Sequence, residues 1–338
     1  MTDYEVLQVE AKTGNVIATL PVTDIKYGET LNAAGTATVG MPLDAADPDT
    51  LAPGRSALVV CRDGEPDWGG MLWTAAADLA QGTLTLNASG WHSYYAGRVL
   101  HDGYERKSDQ ALLLRDWYEM CNEDGGIGTD TSRLTTSGRV VSRLWTQYEL
   151  KVVADAISEL AEERSGFNFR YETYWRSATQ LGNRLLMYPM NSAATPFALT
   201  HRLNCDVTQV SYDAAAMATR AYAVGADNGN GTKLVGIADN ALDMPTKHLV
   251  QSFSDVKSTE TLISKAYAIA AAGAAPVAIP TLTLYPGAFK PSDFVPGAVG
   301  AVQVDSGYVR VLDDFVITER STSIDANGTE LTNVVSGQ

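Results

Sequence analysis

The segment from Tyr27 to Thr74 constrains the fold of this 338-residue chain more than any other. Apolar and polar residues alternate over positions 36–41, and Pro42 ends the alternation. Turns are indicated at Asp47-Pro48 and Pro53-Gly54, and another short apolar run follows them. Alternation with a period of two, interrupted by proline and glycine turns, predicts the short strands of a β-barrel or sandwich. The segment holds no motif typical of catalysis, so it indicates a scaffold.

Residues 1–90 as a whole predict about six strands. These are Tyr4–Val9, Val16–Leu20, Thr36–Val39, Ala57–Cys61, Gly69–Ala75 and Thr83–Asn87. The sequence Lys12-Thr13-Gly14-Asn15 is a hairpin turn between the first two. An antiparallel sheet of this size either closes on itself or packs on a second sheet. We therefore expect a first β-barrel at 1–90.

The pattern changes after residue 90. Apolar residues recur every three to four positions in Ser108–Asn122 and in Thr146–Arg164, which predicts two helices. A capping box formed by Thr146 and Glu149 is expected to start the second helix. Alternating aromatic residues and another apolar run then predict a hairpin. The sequence therefore indicates an α+β insertion at 91–190.

Strand patterns return after Asp206. The expected strands are Val207–Asp213, Thr219–Val224, Lys233–Ile237, Thr281–Tyr285, Val299–Val304, Tyr308–Val311, Phe315–Arg320 and Glu330–Val335. One helix is expected at Ser258–Ala272. Residues 191–338 are therefore predicted to form a second β-barrel with one helix. The fold class expected for the chain is mainly β (α+β).

Charge and cysteine content limit the possible functions. The net charge is −15, and residues 1–90 carry 12 acidic against 4 basic side chains. Such a segment lacks the Lys and Arg that bind phosphates, although like charge would let it line a passage for DNA without adsorption. Cys61, Cys121 and Cys205 are odd in number and widely spaced, so buried free thiols are expected. The longest apolar run, Ala266–Ile279, is about 14 residues against the roughly 20 of a membrane span, so no membrane anchor is expected.

The sequence offers weak candidates for chemistry. The four histidines, at positions 92, 101, 201 and 248, show no metal-binding spacing. His201, Cys205 and Asp206 lie close in sequence, but in a strand or loop their side chains would not converge. Cys61 and Cys121 lie in apolar runs typical of a core and not of a nucleophile.

Two further patterns also indicate structure. The glycine cluster Gly225–Gly231 lacks a following Lys-Ser/Thr and leads into a strand, so it is interpreted as a turn. The acidic pairs Glu123-Asp124, Glu162-Glu163 and Asp313-Asp314 are interpreted as solvated surface.

Starting with MTDYEVLQVE, the chain shows no basic leader, and synthesis in a cytoplasm is expected. We predict no catalytic, cofactor-binding or metal-binding residues, no cofactor, and no enzymatic activity.

Aromatic residues are concentrated in the predicted insertion. They are Trp91, Tyr94, Tyr95, Trp117, Trp145, Tyr171, Tyr174 and Trp175. Such a cluster can stack on sugars, anchor a protein interface, or form the core and rim of a small domain. If the chain has an interaction surface, the insertion is where we expect it.

Several short motifs resemble the hub proteins that close the tip of bacteriophage tail tubes, including the hub region of tail-associated lysins of long-tailed phages. They are Leu31-Asn32 with Gly35, Met41-Pro42, Leu51-Ala52-Pro53-Gly54 and Trp68-Gly69-Gly70. A weaker second set comprises Tyr285-Pro286-Gly287, Val295-Pro296-Gly297 and the strands that follow. Together the two sets cover about half of the chain.

The resemblance implies a fold and a role. It implies two tail-tube-like β-barrels with the α+β insertion between them, assembled as a homotrimeric ring that closes the distal end of the tail tube. Partners would be the distal tail protein, the tape-measure protein and other tail-tip proteins, and DNA would pass through the lumen during ejection from a siphovirus-like virion. The protein would be a minor tail protein of the virion, assembled in the host bacterial cytoplasm.

Three alternatives remain open at this stage. The chain could be a distal tail protein, which forms a hexameric ring above the hub. It could be a carbohydrate-binding or receptor-binding module, if the clustered aromatic residues are exposed. It could also be a cell-wall hydrolase, although lytic domains of the resembled lysins follow the hub as additional sequence.

Overall fold

The computed structural model describes residues 3–163, 166–189, 197–254, 256–285 and 293–337. The chain is mainly β, as expected, and forms two compact units. The main unit comprises Met1–Thr208 and Thr281–Ser336, and the small unit is built from Gln209–Pro280. The expected domain limits at 90/91 and 190/191, and the closure of the sheets into barrels, stay predictions.

Seven strands make up the first ninety residues. They are β1 (Tyr4–Glu10), β2 (Val16–Leu20), β3 (Asp24–Thr30), β4 (Thr36–Pro42), β5 (Ser56–Arg62), β6 (Glu65–Asp78) and β7 (Thr83–Gly90). Six of them lie where the alternation of the sequence predicts strands. The hairpin turn between β1 and β2 is also confirmed, with Gly14 at a φ of 79°. Strand β3 was not predicted: its sequence DIKYGET alternates only over the first four residues, 24–27, and the last three residues break the pattern.

The middle of the chain supplies the helices of the main unit. Its elements are α1 (His92–Tyr95), β8 (Val99–Leu100), β9 (Tyr104–Asp109), α2 (Gln110–Glu123), β10 (Val140–Trp145), β11 (Lys151–Val152), α3 (Val153–Ala161), β12 (Phe167–Ser177) and β13 (Gln180–Pro189). The predicted first helix and the aromatic hairpin are confirmed. The side chain of Asp109 caps α2 by accepting a hydrogen bond from the Ala111 N–H.

The second predicted helix is about half the expected length. The Thr146 N–H does donate to the Glu149 carboxylate, at 2.9 Å, but the segment around this pair is a turn. Leu150 has a φ of 43°, which a helix does not allow, and Lys151 pairs with Leu100 in a short sheet. The helix therefore begins at Val153. Leu150, which the periodicity places on the buried stripe, is 52% exposed.

The remaining elements complete both units. They are β14 (Phe197–Thr200), β15 (Cys205–Asp213), β16 (Arg220–Asp227), β17 (Lys233–Asp239), β18 (His248–Ser252), α4 (Thr259–Ala272), β19 (Val277–Leu284), β20 (Val299–Ser306), β21 (Val309–Ile324) and β22 (Glu330–Gly337). The two strands expected at Tyr308–Val311 and Phe315–Arg320 form the single strand β21. Pro286 and Gly287 of the second set of motifs lie outside the described residues.

One sheet joins the first and last segments of the chain. Its strand order is β15-β19-β22-β21-β3-β4-β7-β6-β5-β1-β2, and β20 pairs with both β21 and β14. The join is the antiparallel pairing of β3 with β21, in which Glu29 lies opposite Arg320 and Ile25 opposite Ile324. Strands separated by almost the whole sequence are therefore neighbours.

Strands β1 and β5 of this sheet are buried on both faces. In β1, Val6 belongs to one hydrophobic cluster and Leu7 to the other, and Leu58 and Val59 of β5 divide in the same way. One cluster lies among the strands themselves, and the other includes Trp117 and further residues of α2 and α3. Burial on both faces explains why β5 is apolar without alternation.

The small unit is a three-stranded sheet with one helix on its face. The strand order is β17-β16-β18, and α4 packs on β16 and β17. Alanines at alternate positions of β16, Ala221 and Ala223, contact Leu262 and Ala266 of the helix. The Ser258 side chain caps α4 by accepting from the Thr261 N–H. Of the glycine cluster predicted as a turn, residues 225–227 belong to the end of β16, and residues 228–232 form the turn between β16 and β17.

Candidate functional site

A polar cleft lies at the centre of the main unit, where β3, β6 and β12 meet. Its volume is about 160 Å³. Its walls include Glu29, Asp67, Arg170 and Arg320, and the motif residues Gly35 and Trp68-Gly69 line it as well. We call this space the central cleft. It brings together residues from the start, middle and end of the sequence.

The most buried charge of the described residues is in the central cleft. The Arg320 side chain is 2% exposed and donates from Nη2 to Glu29 Oε2 at 3.1 Å and from Nη1 to Asp67 Oδ1 at 3.1 Å. The Tyr27 hydroxyl donates to the second oxygen of Asp67 at 2.6 Å. A buried arginine shared by two carboxylates is strongly held, because removal of either partner leaves an uncompensated charge. The cluster fixes the junction of β3, β6 and β21.

The electrostatics of this cluster follow from its burial. Desolvation raises the pKa of Glu29, and Arg320 only partly opposes this effect. Desolvation lowers the pKa of Arg320, but Asp67 and Glu29 outweigh it, so the pKa of this guanidinium is raised overall. Burial also raises the pKa of Tyr27. All of these pKa shifts are accounted for by packing and pairing within the fold.

Two motif residues explain why the central cleft has its shape. Asn32 has a φ of 58°, and its side chain accepts from the Phe169 N–H at 2.7 Å and donates to Asn168 at 3.0 Å, which ties the loop after β3 to β12. A Cβ on Gly35 would lie 1.9 Å from the Gly28 carbonyl oxygen. No side chain fits at position 35 without a backbone shift.

The histidine of the central cleft is held in place by its neighbours. Burial lowers the pKa of His92 to about 4, so the ring is neutral at pH 7. Its Nδ1 lies 3.2 Å from the Tyr171 hydroxyl, and its ring lies 5.2 Å from that of Phe169. No residue described in this cleft pairs a nucleophile with a general base. The contacts of His92 join segments of the fold, and the residues described in the central cleft do not form a catalytic site.

The weak candidates from the sequence have structural contacts. His201 Nδ1 accepts from the Val207 N–H at 3.0 Å and lies 3.9 Å from Asp206, while Cys205 is buried. Cys61 and Cys121 are also buried, and desolvation raises the pKa of each. Within the described ranges, no group of three or more His, Cys, Asp or Glu side chains is placed to hold a metal ion.

In two of the acidic pairs, one member contacts a basic side chain. Glu163 lies 2.5 Å from Arg143, and Asp124 lies 2.6 Å from Arg98. Glu123 is exposed and Glu162 follows α3. The side chain of Asp313 lies outside the described part of the structure.

The aromatic residues of the middle segment form a core. Trp91, Tyr95 and Trp117 are buried, and the half-buried Tyr94, Trp145, Tyr171 and Trp175 pack against the same cluster. Tyr174 is also half-buried, with the Arg184 guanidinium 4.4 Å from its ring centroid. These residues therefore do not form the exposed aromatic face that a carbohydrate-binding module would need.

The unpaired strand edge on β6 was not predicted from the sequence. Strand β5 pairs with β6 only as far as Met71, whereas β7 pairs with it up to Asp78. Residues 73–78 are therefore bonded on one side only, and all six are exposed. The backbone contacts of the described residues supply no second partner for this edge. An uncovered edge without a charge before Asp78 is a site for pairing with another chain.

The turn after β6 carries an exposed leucine. Leu79 is 82% exposed, the highest value among the large aliphatic side chains in the described ranges. Asp78 Oδ1 accepts from the Ala80 and Gln81 N–H groups, and the Gly82 N–H donates to the Asp78 carbonyl. The turn is therefore well ordered by its own hydrogen bonds.

This architecture is shared with solved structures of tail proteins. The 43 kDa tail protein of prophage MuSo2 from Shewanella oneidensis matches with a TM-score of 0.65 at 13% identity, over 98% of this chain and 97% of that one. The prophage tail protein gp18 from Listeria monocytogenes EGD-e matches with a TM-score of 0.60 at 10% identity, over 99% and 94%. This chain has the fold of phage tail proteins.

A third solved structure extends the same fold to secretion systems. The E. coli c3393 protein is described as a type VI secretion system component with similarity to the T4 bacteriophage tail proteins gp27 and gp5. It matches with a TM-score of 0.51 at 10% identity, over 94% of this chain and 73% of that one. None of these three descriptions names an enzymatic activity. No family model matches the chain, and no curated protein matches it.

Among the described residues, no helix is long and apolar enough to span a bilayer.

Proposed function

We propose that this protein is a structural component of a phage tail, and that it acts as the hub that closes the distal end of the tail tube. The single observation that carries the proposal is the fold, which it shares with two tail proteins over nearly their full lengths. The motifs Asn32, Gly35 and Trp68-Gly69 support it, because each has a structural task at the central cleft.

The unpaired edge of β6 supports a ring. In a ring of three or more copies each contact joins two different surfaces, so residues 73–78 would pair with a different edge of the next copy. Three copies are what the resemblance to hub proteins implies. Residues 73–77 carry no charge, so the net charge of −15 does not oppose the contact at this edge.

The mechanism proposed is mechanical. The ring presents a closed platform to the tube, contacts the distal tail and tape-measure proteins, and opens a passage for DNA. The acidic segment 1–90 would line that passage, because like charge disfavours adsorption of DNA. The protein would be assembled in the bacterial cytoplasm and retained in the virion at the tail tip, without enzymatic activity.

The test is the mass of the purified protein in solution by light scattering, followed by negative-stain imaging. A hub predicts about three times 36.1 kDa and a central hole. Six copies would instead favour the distal tail protein, and a monomer at all concentrations would contradict the ring.

A variant and its matched control make the test specific. The double variant Ala75→Lys with Ala77→Lys should prevent edge pairing, because charged residues protect strand edges. Lysines at Thr36 and Thr38 add the same charge to exposed positions of β4, whose two edges are both paired. The first double variant should lose the ring, and the second should keep it. Loss in both would show that added charge alone disrupts assembly.

A further inference from the structure

A second cleft lies on the side of the main unit, at one end of β1 and β2. Its volume is about 400 Å³. Its apolar floor includes Ile17, Met71, Tyr94 and Ile127. The cations Lys12 and Arg55 lie at its rim. We call it the lateral cleft.

The rim of the lateral cleft carries two cations and two acids. The side chains of Lys12 and Arg55 have neither an ion pair nor a hydrogen bond with any described residue, and both are exposed. Of the two acids at the rim, Glu10 accepts from the Thr13 hydroxyl, and Asp49 is exposed. Two available cations above an apolar floor suit an occupant that combines an apolar side chain with a carboxylate.

The chain itself carries an element of that description. The turn of residues 79–82 projects Leu79, and the adjacent Asp78 supplies a carboxylate. Because the turn is held by its own hydrogen bonds, little conformational entropy would be lost when it docks.

The two elements cannot meet within one copy. Met71 is at the floor of the lateral cleft, and Leu79 lies eight residues further along the same strand and its turn. An extended strand advances about 3.3 Å per residue, so the two residues are roughly 26 Å apart. If the projecting side chain of one copy enters the cleft of another copy, the contact joins two different surfaces and is heterologous.

We propose that Leu79 of one copy inserts into the lateral cleft of the next copy, with Asp78 beside Lys12 and Arg55. The inference rests on the proposed ring and deepens it by naming the two surfaces that meet. The occupant of the cleft is thus a second copy of this chain, and the contact repeats in one direction around the assembly.

The experiment uses pairwise disulfide trapping between full-length chains with different tags. One preparation carries Leu79→Cys and the other carries Ile17→Cys, and they are mixed, oxidised mildly and separated without reductant. The three native thiols are buried and should not compete. The matched control replaces Leu79→Cys by Leu203→Cys, since Leu203 is 73% exposed and lies in a loop.

We expect at least tenfold more mixed dimer with Leu79→Cys than with Leu203→Cys. Equal yields would overturn the inference. A second measurement covers the case in which cysteine substitution perturbs the fold: Leu79→Asp should weaken association at least tenfold in sedimentation, and Leu203→Asp should not. If Leu79→Asp still forms the wild-type ring, this contact is wrong while the hub proposal stands; if the wild type never associates, both fail.

Discussion

The Arg320 guanidinium lies 3.1 Å from the carboxylate of Asp67, although 253 residues separate the two in sequence. Asp67 belongs to β6 and Arg320 to β21, and Glu29 of β3 completes the contact. This cluster therefore connects three strands of one sheet at a point where the first and last segments of the chain meet.

Arg320→Met should destabilise the protein by about 3–5 kcal/mol, because it leaves two buried carboxylates without their counter-charge. The free energy of unfolding from a urea titration measures this change. Arg310→Met is the matched control, since Arg310 is 83% exposed and lies 3.8 Å from Asp305; its effect should stay under about 1 kcal/mol. Similar losses for both variants would contradict a structural role for the cluster.

Asn32 allows the cost of backbone geometry to be separated from that of hydrogen bonds. Asn32→Gly keeps the φ of 58° accessible but removes the bonds to Phe169 and Asn168, and should cost about 1–3 kcal/mol. Asn32→Ala should cost about 1 kcal/mol more, because alanine is strained in the left-handed region. Thermal unfolding of both variants checks the order. Equal stabilities would show that the φ imposes no cost.

The thiols should be inert in the native protein. Burial raises the pKa of Cys61 to about 12 and that of Cys205 to about 11, and Cys121 is shifted in the same direction. A thiol reagent at pH 8 should therefore label none of the three within minutes, and all three in denaturant. Leu203→Cys, at a position that is 73% exposed, should add one rapidly labelled thiol. Rapid labelling of the native wild type would contradict the burial of these side chains.

Stability should fall in acid partly through His92. Burial lowers the pKa of His92 to about 4, whereas an unfolded histidine titrates near about 6.5. The unfolded chain therefore takes up this proton first, so the stability contributed by neutral His92 is present above pH 6.5 and is lost as the pH falls toward 4. This residue alone should account for a loss of about 2 kcal/mol between pH 6.5 and 4.5.

The measurement for His92 is the free energy of unfolding at both pH values for wild type and His92→Gln. The variant should show a smaller decrease in acid, and the difference between the two decreases isolates His92 from the carboxylates. His101→Gln is the control, because His101 is half exposed. If the pH dependence of His92→Gln equals that of the wild type, the pKa of His92 is not lowered by burial.

Local patterns predicted most strands but not the connections that build the site. Alternation places β4 and β7 within a few residues, and the helix expected at Ser258–Ala272 agrees with α4 to within one residue at its start. Strand β3 alternates over only four residues, and it is held between β4 and β21, of which β21 lies about 290 residues away. The predicted helix at Thr146 was too long because periodicity does not register the left-handed backbone at Leu150.

The central cleft, too, could be predicted from the sequence only in part. The sequence singles out Trp68-Gly69-Gly70, and the structure shows why: the Trp68 indole donates to the Gly28 carbonyl at 3.0 Å, and a Cβ on Gly70 would lie 2.2 Å from the Ser89 carbonyl. Arg320 carries no local signal, because its burial depends on two acids from distant strands. The exposure of Leu79 and the unpaired β6 edge depend on where β5 begins, which only the pairing of whole strands reveals.

The pairing of β3 with β21 also sets the timing of folding on the ribosome. Glu29 is synthesised 291 residues before Arg320, a delay of roughly 15–60 s at about 5–20 residues per second. Until β21 emerges, the outer edge of β3 has no partner, and Glu29 and Asp67 have no arginine between them. The nascent amino-terminal strands should therefore depend on chaperones that cover open sheet edges, and stalled or truncated chains should aggregate.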